Sequence, residues 1–115
     1  MPPKRNPLQL NALQLKTLAI LQELAQLPDW ASRDETAGEA TIRALPHPHG
    51  DHFHIGSKVV MSRDASGLGN AGVWKALERK GLTRAATFPQ QLTLTPAGMA
   101  YDTSPIGTIL HGGDH

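Results

Sequence analysis

The clearest periodic signal in the chain is a run of apolar residues from Leu13 to Leu27. Leu13, Leu18, Ile20, Leu21, Leu24, Ala25 and Leu27 recur at helical spacing. Asn11 is a good N-cap, with Gln14 three residues on as in a capping box, and Leu10 and Leu15 are placed as a hydrophobic staple. Pro28 ends the run, so a first helix is expected over 11–27. Its apolar arc covers nearly half the circumference, wider than the minimal core-facing stripe. Burial within one domain is the simpler explanation; a homodimer contact through this helix is the sharper one.

Residues 29–38 are polar and read as a loop. Alternation then appears in Ala40-Thr41-Ile42-Arg43-Ala44-Leu45 and again in His52-Phe53-His54-Ile55. Pro46-His47-Pro48-His49-Gly50-Asp51 separates them with turn chemistry, so the expected element is a histidine-rich hairpin. Ser57 is placed to cap a second helix over 57–65, and Ser66-Gly67-Leu68-Gly69 forms a tight connection. Asn70 caps a third helix over 70–80, which Gly81 stops. Residues 82–87 and 92–95 then pair as a second hairpin around Phe88-Pro89-Gln90-Gln91. Pro96 suits the first turn of a short last helix ending near Tyr101. The division expected is a flexible basic arm over 1–7, one domain over 8–102 and a disordered tail over 103–115.

Composition narrows the function classes. The chain has 115 residues, enough for one domain and too few for two ordinary ones. It has no cysteine, which excludes a disulfide framework and any thiolate zinc site and is compatible with a reducing cytoplasm. No stretch reaches the roughly 20 apolar residues of a membrane span. The basic opening lacks the uninterrupted apolar centre of a secretion signal, so a cytoplasmic location and no membrane partner are expected. Net charge is only +1, and a nucleic-acid partner would have to be recognised by local charge.

Local charge is found on the third helix. Val73, Trp74 and Leu77 share its core side, while Lys75 and Arg79 lie opposite with Ala71, Gly72 and Ala76. Cations flanked by small residues can approach a groove closely, neutralise phosphates and read guanine edges. Lys58, Arg63 and Arg84, with the Lys4-Arg5 arm, are placed to assist, and Gln90 and Gln91 stand at the hairpin tip. The bland alternative for Lys75 and Arg79 is a solvated helix face.

Leu77-Glu78-Arg79-Lys80-Gly81-Leu82 and Leu94-Thr95-Pro96-Ala97-Gly98 resemble the second half of bacterial winged helix-turn-helix regulators. In these a recognition helix ends in Leu-Glu, basic residues and Gly-Leu, and a two-stranded wing runs into Leu-Thr-x-x-Gly. Leu13-Gln14-Leu15-Lys16-Thr17-Leu18 is similar to their first helix. The resemblance implies an α+β fold: a three-helix core, a C-terminal wing, and here an extra histidine-rich hairpin between the first two helices. It implies a DNA-binding protein, a small transcriptional regulator or accessory factor, that needs no cofactor and whose partner is duplex DNA. Two alternatives stand beside it, a winged-helix module that binds another protein and a metal-responsive regulator using His47–His54.

His47-Pro48-His49-Gly50-Asp51-His52 also matches the His-x-His-x-Asp-His signature of metallo-β-lactamase-fold hydrolases. An enzyme reading fails, because that fold needs a far larger sandwich and more downstream ligands than His111 and His115. Exposed histidines without a tightly held metal are the expectation.

Overall fold

Asn11 caps the first helix in the way its sequence requires. In the computed structural model, which describes residues 6–112, Asn11 Oδ1 accepts the Gln14 N–H at 2.8 Å and Gln14 Oε1 accepts the Asn11 N–H at 3.0 Å. The helix, α1, spans Ala12–Leu24 and is shorter than expected. Its end tightens: the N–H groups of Gln26 and Leu27 bond back three residues, to Glu23 and Leu24. Leu15, Leu18, Ile20, Leu21 and Leu24 are all buried. The wide apolar arc is covered within the chain itself, by two later helices and by turns on either side of them. No dimer is proposed from it.

The middle of the chain departs most from expectation. The loop expected over 29–38 contains a strand, β1 (Ala31–Asp34), which pairs antiparallel with β2 (Glu39–Ile42). Only Ala31 of β1 is buried, so this edge strand carries no alternation to read. Its turn is closed by Asp34, whose carboxylate accepts the Ala37 N–H at 3.0 Å and whose carbonyl accepts the Gly38 N–H at 2.8 Å.

The expected pairing of 40–45 with 52–55 does not form, nor does a helix over 57–65. Instead β3 (His52–Ile55) pairs with β4 (Lys58–Met61). Gly56 and Ser57 make the two-residue turn between them, Gly56 having φ +61°, and β-branched Val59 and Val60 favour a strand. Two 3-10 turns follow, Ser62–Asp64 and Ser66–Gly69.

Beyond them the order is as expected. Helix α2 spans Ala71–Arg79, strands β5 (Thr83–Thr87) and β6 (Gln91–Leu94) form a hairpin, and α3 covers Pro96–Ala100. β6 also pairs with β2, giving a four-stranded sheet in the order β1-β2-β6-β5. Its inner face, with Ala31, Ala40, Ile42, Leu92 and Leu94, belongs to the same core as α1. The Leu94-Thr95-x-x-Gly98 sequence has a local cause. Thr95 Oγ1 accepts the Gly98 N–H to cap α3 and donates to the Gly81 carbonyl at 2.7 Å. A Cβ on Gly98 would collide with the Leu82 carbonyl, so only glycine lets α3 pack there.

The tail expected to be disordered folds back over residues 103–112. Ser104–Ile106 make a 3-10 turn, Ile109 is buried, and β7 (His111–Gly112) adds to β4 in a second sheet of order β3-β4-β7. Apolar Ile106, Ile109 and Leu110, set among Thr, Ser, Pro, Gly and His, supply the anchorage that composition hid. The molecule is α+β, with three α-helices and two antiparallel sheets among the described residues. None of these helices is long and apolar enough to cross a membrane.

Candidate nucleic-acid interface

Helix α2 is held from three sides. At its start Asn70 Oδ1 accepts the N–H groups of Gly72 at 2.9 Å and Val73 at 3.3 Å. Val73, Trp74, Ala76 and Leu77 turn inward, and the Trp74 indole N–H donates to the Leu68 carbonyl at 3.0 Å. Ala76, expected on the open face, is therefore part of the packed side. The turns before α2 lie hard against α1, where a Cβ on Gly67 would run into the Thr17 hydroxyl. Lys16 adds an ion pair to Asp64 at 2.8 Å. On the far side the Phe88 ring meets Trp74 edge-on, with centroids 5.0 Å apart.

What remains open on α2 is Ala71, Gly72, Lys75, Glu78 and Arg79. Arg63, on the first of the preceding turns, is exposed as well. The structure separates the expected contact residues into two groups. Lys75, Arg79 and Arg63 have no side-chain partner among the described residues. Arg84 and Lys58 do. Arg84, on the outer face of the four-stranded sheet, donates to both carboxylate oxygens of Glu39 at 2.8 and 2.6 Å. That hydrogen bond, reinforced by the guanidinium charge, holds the Glu39 carboxyl below its ordinary range despite some desolvation. Lys58 is on β4, not on a helix, and pairs with Glu23 near the end of α1 at 3.1 Å. The Lys4-Arg5 arm lies outside the described residues.

Sequence reasoning misses Phe88. By pattern it is only part of a turn, yet its side chain is 41% exposed beside α2. With Ala71, Trp74, Lys75, Glu78 and Ala86 it borders a shallow cleft of about 180 Å³. An aromatic next to Pro in a hairpin turn is the signal that could have found it.

No family model, curated protein or solved structure matches this chain. Its chemistry has to be read from its own side chains.

The histidines do not form the hairpin expected of them. His52 and His54 share a face of β3, their Nε2 atoms 3.2 Å apart, and the His49 and His54 ring centroids are 5.2 Å apart. His52 Nδ1 also lies 3.2 Å from an Asp51 carboxylate oxygen. Among the described residues, no group of three or more metal-ligating side chains is disposed to hold a metal ion.

Proposed function

We propose that this chain is a cytoplasmic, non-enzymatic winged helix-turn-helix protein that binds duplex DNA through α2, as a small regulator or accessory factor. The reading is supported by the order of parts: α1, a strand that joins the later hairpin, turns, α2, and that hairpin as the wing. The second helix of such a domain is reduced here to the two 3-10 turns before α2. The observation that carries the reading is one of charge. Among the described residues Lys75 and Arg79 stand unpaired, on the exposed side of a helix whose other side is locked into the core. Small Ala71 and Gly72 beside them leave the backbone open to close approach by a phosphate. Phe88 favours the second reading, a module that docks another protein, since an exposed aromatic against small residues is typical of such anchors.

The test is an anisotropy titration of mixed-sequence duplex DNA at two salt concentrations. The Lys75→Ala, Arg79→Ala double variant should fold normally and bind more weakly. Its slope of log affinity against log salt should flatten by roughly two, about one for each phosphate no longer neutralised. Absence of binding by the wild type at low salt, or identical curves for the variant, leaves the protein-docking reading.

A further inference from the structure

A second concave feature lies away from the exposed face of α2. The loop that joins β2 to β3, Phe53 of β3, the turns over 62–69 and the wing turn border an open cleft of about 1010 Å³. Binding sites for small molecules typically occupy about 300–1,000 Å³ and are apolar with a few placed polar groups. This cleft has that character. Leu45, Pro46, Phe53 and Leu68 supply apolar wall, and Pro46, Pro48 and Pro89 stiffen the loops around it.

The polar lining carries no negative charge: beside Arg43 stand the uncharged Ser62, Ser66, Gln90 and Gln91 and the imidazole of His47. Among the described residues no Asp or Glu lines the cleft, whereas Arg43 does. One Arg43 guanidinium nitrogen is tied to the carbonyl of Pro28, which lies outside the cleft lining, at 2.8 Å, and the other N–H groups are left to spare. In the same wall the Ser62 hydroxyl is buried without a hydrogen-bond partner among the described residues.

We infer that this cleft binds a small amphiphilic carboxylate, its apolar body against Leu45, Phe53 and Leu68 and its carboxylate toward Arg43. The apolar wall drives burial, the Arg43 cation selects an anion, and the absence of acidic neighbours leaves that cation uncompensated. The inference stands apart from DNA binding and is tested without DNA.

The experiment uses the full chain, with 8-anilinonaphthalene-1-sulfonate as fluorescent probe and decanoate, decanol and decyltrimethylammonium as competitors. Decanoate should displace the probe saturably, one per chain, and shift amide resonances within 43–53 and 62–69. Gly69→Phe should weaken decanoate roughly tenfold, since the site of a Cβ there is empty and lines the cleft. Arg43→Gln should weaken decanoate by roughly tenfold and leave decanol unchanged. Amide shifts need no variant, so they decide the matter even if Gly69→Phe misfolds. The proposal is overturned by the absence of saturable displacement, by shifts elsewhere in the chain, or by decyltrimethylammonium competing as well as decanoate. Shifts that follow protein concentration instead of decanoate would assign the cleft to a second copy of the chain and overturn it equally.

Discussion

Two faces of this molecule carry arginine, and they treat it differently. On the outer face of the four-stranded sheet, Arg84 is clamped to Glu39 by two hydrogen bonds. On the open face of α2, Lys75 and Arg79 have no side-chain partner among the described residues and Glu78 is also exposed. A cation that already holds a carboxylate must give up that bond before it can serve a phosphate. One with only water around it gives up little. Pairing, and not the position of a basic residue in the sequence, separates charges that build the fold from charges that are available to a partner.

Reversing the available charges is the strongest way to break this contrast. Lys75→Glu with Arg79→Glu should reduce duplex affinity roughly a hundredfold at low salt, at about tenfold for each charge-assisted hydrogen bond to phosphate that is removed. Stability should fall only slightly, because neither side chain is buried and the cost is that of carboxylates near the C-terminal end of α2, about 0.3–1 kcal/mol. Arg84→Gln should do the reverse, with affinity unchanged and stability lowered. Anisotropy and thermal melts on the same preparations check both arms, and an equal fall in affinity for the two variants would abolish the distinction.

The regions also differ in how far the sequence can be read. From Asn70 to Ala100 each element has its own local punctuation: an Asn cap, a glycine stop, a short alternating hairpin and a capped Pro-containing turn. The caps, the stop and the hairpin survive in the structure, but strict alternation does not: Leu92, Thr93 and Leu94 are all buried, and β5 is irregular between Arg84 and Thr87. The stretch from Ala31 to Met61 lacks such agreement. β1 is exposed on three of its four residues and leaves no pattern. β2 alternates, but its partner β6 lies about 50 residues away, and no local signal says which strand it joins. Gly56-Ser57 is a two-residue turn signal that competes with the helix-capping reading of Ser57, and the turn wins. At the site, Lys75 and Arg79 are legible because helical spacing sorts faces. The neutralisation of Arg84 by Glu39 is not, since it links residues 45 apart across an intervening strand.

The position of α2 depends on its seat against α1, and Gly67→Ala tests that seat. Its Cβ would enter the space of the Thr17 hydroxyl, which itself donates to the Leu13 carbonyl at 2.8 Å. Overpacking of this kind typically costs about 1–3 kcal/mol. In a domain of this size a loss of about 1 kcal/mol lowers the midpoint by roughly 4–8 °C. An unchanged midpoint would mean the turns before α2 are not seated as described. A weaker contrast comes from Lys58→Ala. Its pair with Glu23 is partly exposed and is worth at most about 1 kcal/mol, and duplex affinity should stay within about twofold.

The smallest effect is also the most diagnostic of the outer sheet face. The Glu39 carboxyl is held below its ordinary range, first by the hydrogen bond from Arg84 and then by its charge. The folded protein therefore binds fewer protons at this site than the unfolded chain does in the acid range. The stabilisation is complete above the ordinary carboxylate range and is lost as pH falls through the lowered value. Arg84→Gln removes the cause, so its Glu39 should titrate close to the ordinary range in both states. Unfolding midpoints of wild type and variant should be furthest apart near neutrality and converge as acidification passes below the ordinary carboxylate range and through the lowered Glu39 value. A gap that keeps its size across that window would mean that Arg84 stabilises by packing over Thr41 and Thr93 and not by its charge. A gap that closes while duplex affinity at neutral pH stays unchanged would place Arg84 with the fold and leave DNA to α2.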